Sequence, residues 1–232
     1  MFKSKYSTVL TVFLVILIIA ILIIITIIAI NAYKNYEDEK ERGKIIADLQ
    51  QQGNKSPDDN EIDNNNIGDE NLVIGTVDDN NIGGNTTGGG SSSRPKTKFY
   101  KEYPMIGTIE IEKTGIEYPI LLDISPKALE TSVGVMYPSN PTLNEPGNVV
   151  IIGHNYRNGK FFSDNKNLVI GDEIKITDLT GRTLTYTIYE INQTSETDTE
   201  YITRPRGDNI EISLSTCTDD GKLRLVILAR VE

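Results

Sequence analysis

The chain has 232 residues, enough for one domain of ordinary size together with an anchor and a linker. A formal net charge of -10 with no basic stripe excludes a general nucleic-acid binder, because phosphate recognition needs concentrated Lys and Arg. The single cysteine and single histidine exclude an internal disulfide framework, cysteine-rich zinc patterns and paired-histidine metal sites, so any such chemistry rests on Cys217 or His154.

The first element in chain order is an uncharged apolar run from Val9 to Ile30, interrupted only by two threonines. As a helix it reaches roughly 33 Å, long enough for the hydrocarbon core of a bilayer. Lys3 and Lys5 precede it and a mixed acidic stretch follows, which keeps residues 1–8 in the cytoplasm and sends the rest outside. A cleaved signal peptide is the competing reading; the apolar run is long for one and no A-x-A site follows. A transmembrane helix over 9–30 is expected.

Residues 31–52 are rich in Glu, Lys, Ala and Gln and read as a juxtamembrane stalk. Ile45 and Leu49 give only a thin apolar stripe, so the stalk is expected to be solvated. From 53 to 98 Asn, Asp, Gly, Ser and Thr dominate, with NNIG at Asn65–Gly68 and again at Asn80–Gly83. Too few apolar residues are present to offset chain entropy, and a flexible linker is expected. Its acidic residues lack EF-hand spacing and its glycines lack the Gly-Lys-Ser/Thr ending of a phosphate loop.

Residues 99–232 change to short strands: Ile106–Ile111, Tyr118–Leu122, Asn148–Ile152, Glu173–Thr177, Leu184–Asn192, Asn209–Leu214 and Leu223–Val231. Pro and Gly punctuate most gaps, and only Pro126–Thr131 reads as a short helix. The pattern is all-β, a barrel or a sandwich. Ile210, Ile212 and Leu214 share one strand face, and the strand runs into Ser215, Thr216 and Cys217. Asp220-Gly221 signals a two-residue hairpin turn; counting outward from it sets Cys217 opposite Arg224 and Arg230 opposite Glu211.

A lone cysteine is often a small buried hydrophobe. Here it follows a strand end among Ser, Thr and Asp in a domain expected outside the cell, where a spare thiol is a liability unless used. His154 follows the apolar run Val149–Ile152 and Gly153, placing it at a strand mouth; a structural histidine is the alternative. A thiolate attacks carbonyl carbon, a histidine protonates the leaving amine, and an arginine such as Arg224 stabilises the oxyanion or holds substrate carbonyls.

At these residues the sequence resembles the sortase family. The family's Thr-Leu-x-Thr-Cys motif stands as Ser213-Leu214-Ser215-Thr216-Cys217, with serine for the first threonine. The histidine motif is Gly153-His154-Asn155 after GNVVII, and the arginine pattern is Arg224-Leu225-Val226-Ile227. YPMIGTIEIEKTGIEYPIL at Tyr103–Leu121 looks like the family's first two strands. The resemblance implies a closed eight-stranded sortase-type β-barrel with short helices over 99–232. It implies that Cys217 cleaves a Leu-Pro-x-Thr-Gly (LPXTG)-like sorting signal between Thr and Gly as a thioester. The acyl group then passes to an amine of a peptidoglycan precursor, anchoring surface proteins to the wall of a Gram-positive cell, or to a pilin lysine. His154 is the implied acid/base, and Thr216 and Ser215 the implied support for substrate or oxyanion.

No cofactor and no metal ligand set is expected; calcium modulation occurs in some family members, but the acidic residues here are too dispersed to name a site. The absence of a long inserted helix between Ile188 and Ile210 weighs against a class B enzyme, and no Asp-Pro-Phe or Asp-Pro-Trp lid motif of pilin-polymerising enzymes appears. A class D-like or related housekeeping enzyme is favoured, with class B-like and pilin-polymerising readings kept beside it. Outside the class, the rivals are a cysteine hydrolase using water as acceptor and an anchored β-barrel adhesion module without catalysis.

Overall fold

The computed structural model describes residues 5–53, 97–204 and 207–232. The expected linker over 53–98 therefore lies outside the described residues except at its two ends, as do residues 1–4 of the expected cytoplasmic segment.

Helix α1 spans Lys5–Gly53 without a break. Its most apolar window has a mean hydropathy of 3.7 and is not buried by the rest of the protein. A helix apolar on every face, with no protein against it, needs an apolar medium; it is a single N-terminal helix consistent with a single-pass membrane anchor.

The stalk part of α1 departs from the solvated expectation. Asp38, Arg42, Ile45, Ile46 and Leu49 recur at helical spacing and turn one face toward the domain. Leu49 is fully buried in a cluster with Tyr100, Tyr103, Met105, Leu121 and Ala128, with Ile45 and Leu179 packed against it. Burying such a leucine contributes about 1.5–3 kcal/mol. Only part of the stripe is apolar because its other members make polar contacts. Asp38 pairs with Lys101 at 2.9 Å, Asp48 with Lys98 at 2.5 Å, and the Arg42 guanidinium lies 4.4 Å from the centre of the Tyr118 ring. Burial, reinforced by the Asp38 charge, pushes the Tyr100 phenol up from its ordinary pKa.

Eight strands close the barrel: β2 (Tyr103–Ile111), β3 (Ile116–Leu121), β4 (Val133–Tyr137), β5 (Gly147–Ile152), β6 (Glu173–Asp178), β7 (Thr183–Thr194), β8 (Ile210–Cys217) and β9 (Arg224–Arg230). Around the barrel they run β2-β3-β4-β5-β8-β9-β7-β6, and β6 pairs back onto β2. This is the closed eight-stranded barrel that the resemblance to the family implies, and it decides between the barrel and the sandwich that the strand pattern left open. A ninth short strand, β1 (Lys98–Tyr100), adds to the start of β2. Neither β1 nor β4 was legible: β1 is three residues long, and VGVMY in β4 follows the short helix without a turn signal. That helix, α2, spans Pro126–Leu129 and is capped by the Ser125 hydroxyl, which accepts from Ala128 N–H at 3.4 Å.

The core follows from period two. Ile109, Ile111, Ile120, Ile151, Ile174, Ile176, Ile212 and Leu214 point inward and are fully or nearly fully buried. Closure at β2–β6 brings backbones so near that a Cβ on Gly107 would lie 2.3 Å from the Thr177 carbonyl oxygen. Beside this seam, Asn144 is buried, and its side-chain amide donates to the Arg182 carbonyl at 2.8 Å while its oxygen accepts from Tyr186 Oη at 3.0 Å. Asn144 also holds φ at 62°, a conformation Asn tolerates better than most residues. Asn144→Ala is expected to leave the Tyr186 hydroxyl and the loop carbonyl unpaired and to cost about 2–4 kcal/mol. Thermal unfolding followed by tyrosine fluorescence on the full chain in detergent checks this, with Tyr186→Phe expected to cost less.

Candidate active site

Strands β5 and β8 are parallel neighbours, with Ile152 beside Ser215. Parallel strands end at the same rim, so the residues just past β5 and at the end of β8 meet there. Gly153 N–H donates to the Ser215 carbonyl at 3.3 Å, and the Thr216 hydroxyl donates to the Gly153 carbonyl at 2.7 Å. His154 follows Gly153, just past the end of β5, and Cys217 follows Thr216 as the last residue of β8.

Across the other edge of β8, antiparallel β9 sets Cys217 opposite Arg224 and Glu211 opposite Arg230, the register counted from the sequence. The turn is a different one. Thr218 N–H donates to Leu223 carbonyl at 3.0 Å, and Thr218 carbonyl accepts from Gly221 N–H at 2.9 Å. The Asp220 carboxylate accepts from the Thr218 hydroxyl at 2.6 Å and Lys222 N–H at 3.1 Å. These local side-chain bonds favour a longer loop over the two-residue turn, yet Thr218 still faces Leu223, so the register is preserved.

The Arg224 side chain uses both arms. Nη1 donates to Cys217 Sγ at 2.9 Å, and Nη2 donates to Glu196 Oε2 at 3.3 Å. Cys217, Arg224 and His154 are all half-buried, reachable from solvent but walled on one side. The His154 ring stacks on Tyr156, with centroids 4.8 Å apart, and its carbonyl accepts from Phe162 N–H at 3.1 Å. Of the predicted site residues, the structure therefore brings Arg224 into contact with Cys217 and sets His154 at the same rim.

Thr216 and Ser215 are buried. The Thr216 hydroxyl is committed to the Gly153 carbonyl and braces the histidine segment against β8. Ser215 Oγ accepts from Tyr201 Oη at 3.5 Å. Period two turns Thr216 inward and Cys217 outward, so the two side chains part at consecutive positions.

The outer face of β8 is covered by the segment after β7, including helix α3 (Glu200–Thr203). Arg204 anchors that segment: Nη2 pairs with the buried Glu211 carboxylate at 2.5 Å, and Nη1 donates to the Tyr201 carbonyl at 2.7 Å and to Ser213 Oγ at 3.2 Å. The Tyr189 hydroxyl also donates to Glu211, at 3.0 Å. A buried charge partnered on several sides holds a loop more firmly than a surface pair.

Asn155 makes contacts that the sequence did not disclose. Its amide donates to the Cys217 carbonyl and to Asp219 Oδ1, each at 2.9 Å, and Lys166 pairs with Asp219 at 2.7 Å. The motif Gly-His-Asn marked the position, but only the register shows that the asparagine spans to the cysteine strand. Hydrogen bonds from Lys166 and Asn155 hold the Asp219 carboxyl below its ordinary range. That tie is present above the unfolded Asp value of about 3.9 and is lost as pH falls through the lower folded value.

Among the described residues, no group of three or more His, Cys, Asp or Glu is placed to hold a metal ion. Chemically, a thiol sulfur in contact with a guanidinium fits covalent acyl chemistry. An acyl carbon bonded to Sγ carries its oxygen one bond away, within reach of the same donor.

Residues 109–232 match the family model described as the sortase domain, more than half of the chain. The chain belongs to the sortase family. Sortases are cysteine transpeptidases that act on surface proteins, and this chain shares that activity class and fold. Among solved structures, a Clostridium perfringens sortase D5 transpeptidase is 35% identical with a TM-score of 0.50, covering 55% of this chain and 79% of that one. Sortase A from Corynebacterium diphtheriae is 30% identical with a TM-score of 0.51, covering 56% and 62%. A lid mutant of the same enzyme gives 29%, 0.52, 56% and 72%. No curated protein sequence matches the chain.

Asn155→Ala is expected to lower the turnover of this sortase about 10- to 100-fold, because a misplacement near 1 Å is enough for such a loss. Steady-state kinetics, with KM changing less than kcat and with an unchanged melting temperature, distinguish loss of positioning from unfolding.

Proposed function

We infer that Cys217 is the nucleophile of this sortase, that His154 protonates the departing amine, and that Arg224 donates to the oxyanion or to substrate carbonyls. The 2.9 Å contact from Arg224 Nη1 to Cys217 Sγ, at the rim that also carries His154, carries this reading. The substrate is an LPXTG-like sorting signal. The thiolate attacks the Thr carbonyl, the Thr–Gly bond breaks, and the new amine of the departing peptide takes its proton from His154. An acceptor amine of a peptidoglycan precursor then attacks the thioester and restores the thiol.

The subclass reading is class D-like, supported by the 35% identity to the Clostridium sortase D5 and by the short segment between β7 and β8, whose described residues carry only the four-residue helix α3. Lys3 and Lys5 before the apolar helix support a cytoplasmic N-terminus with the barrel, over 99–232, outside the cell. Thr216 supports this chemistry by bracing the histidine segment through Gly153, and Ser215 lies beside it on β8 with Tyr201 against its hydroxyl.

The test is intact mass of the chain after incubation with peptides of the Leu-Pro-x-Thr-Gly type, beside Cys217→Ala. An adduct equal to the peptide cut after Thr, absent from the variant, is expected. Cleavage that persists in Cys217→Ala, or an adduct on another residue, would refute the assignment.

A further inference from the structure

The barrel has two unlike rims. Strands β2, β5, β7 and β8 run one way and β3, β4, β6 and β9 the other, by the antiparallel and parallel pairings around the closed sheet. The ends of the first group and the starts of the second therefore share a rim. That rim carries His154, Cys217 and Arg224, and also Gly115 before β3 and Val169–Ile170 shortly before β6. The opposite rim carries the β6–β7 turn at Gly181.

Helix α1 lies along the barrel between these rims in a fixed sense. Its C-terminal end meets the far rim, where a Cβ on Gly181 would lie 2.2 Å from Gly53 N and 2.8 Å from the Leu49 carbonyl oxygen. Midway, Arg42 covers Tyr118. Nearest the apolar run, Asn35 accepts from Lys160 Nζ at 2.9 Å. Lys160 belongs to the loop that carries His154, and a cleft of about 530 Å³ between helix and loop is lined by Asn35, Arg42, Gly115 and Tyr156. A run of ring contacts continues from Tyr118 through Phe161 and Tyr156 to His154, tilted, edge-on and stacked in turn, at centroid distances of 5.0, 5.8 and 4.8 Å.

The helix runs without a break from the apolar segment into this docked face, so docking fixes which rim looks at the membrane. Asn35 and Arg42 lie five and twelve residues beyond Ile30, or about 8 and 18 Å along the axis. The polar headgroup layer on one side of a bilayer is about 5–7 Å thick. We propose that the docked stalk presents the rim bearing His154, Cys217 and Arg224 to the bilayer surface, with the exposed Val169 and Ile170 against the headgroup layer. These two apolar side chains, 53% and 66% exposed, sit on the rim so presented. The occupant of this surface is the membrane in which α1 itself is anchored. The proposal rests on α1 spanning the bilayer, but not on the chemistry assigned to Cys217.

The full chain in phosphatidylcholine vesicles tests it, in a Cys217→Ala background that frees the thiol chemistry for labelling. Ile170→Cys and, at the far rim, Thr180→Cys each carry an environment-sensitive fluorophore, and headgroup-spin-labelled lipid is the quencher. Several-fold stronger quenching at 170 than at 180 is expected, and Leu49→Glu with Arg42→Ala is expected to collapse the difference. Equal quenching, or stronger quenching at 180, in protein that floats with the vesicles would overturn the orientation. Protein that fails to float would overturn the membrane span and the proposal with it. As a second readout, Asn35→Cys with Lys160→Cys in the same background is expected to be joined by a short bis-maleimide in the vesicles, a spanning reagent because the 2.9 Å contact joins side-chain tips rather than neighbouring backbones. Failure of that pair to cross-link would show that the stalk is not docked.

Discussion

The parallel pairing of β5 with β8 is the constraint on which the site depends. Antiparallel neighbours would send the residues after β5 and the last residue of β8 to opposite rims, and the histidine and the thiol would not share one. Parallel pairing is bought with long connections, and in this chain the stretch from β5 to β8 contains β6, β7 and α3 before the strands come side by side. The barrel closes around that return, and it is sealed at Gly107 and Asn144, toward the rim opposite the site. Core packing, register and chemistry are thus one arrangement rather than three.

Two devices refine it. Asn155 and the Thr216 hydroxyl tie the segment after β5 to the end of β8, so the histidine segment cannot move independently of the cysteine. On the outer face, the Arg204–Glu211 pair pins the segment after β7 onto the strand that delivers Cys217. Removing one partner of such a pair leaves a buried charge unpaired, which is far more costly than losing a surface ion pair. By contrast the Glu196–Arg224 contact is largely exposed, and its value is in aiming the guanidinium rather than in stability.

Much of this was legible in the sequence. Period two and turn residues gave the β-class and most strands, and the Asp220-Gly221 count gave the Cys217–Arg224 register even though another turn was used. It survived because both turns keep Thr218 facing Leu223. What was not legible lay in contacts distant in sequence. Asn155 reaches Cys217 across 62 positions, and Leu49 finds its pocket among residues 100–128 that no local pattern connects to it. The stalk looked solvated because its docking face mixes Ile45, Ile46 and Leu49 with Asp38 and Arg42. A charged residue on such a stripe reads as solvent-facing until its partner, here Lys101 or the Tyr118 ring, is known.

The role proposed for the guanidinium facing Cys217 is to stabilise the acyl-transfer transition state. Single-turnover acylation of the full chain by a sorting-signal peptide, compared between the parent and Arg224→Ala and Arg224→Lys, tests it most directly. A fall of about 10²–10³-fold is expected for Arg224→Ala, the usual cost of losing one oxyanion donor. Lysine should restore only part of the rate, because a point charge cannot serve Sγ and Glu196 with two arms at once. Acylation of Arg224→Ala at the parent rate would mean that Arg224 takes no part in the acyl transfer.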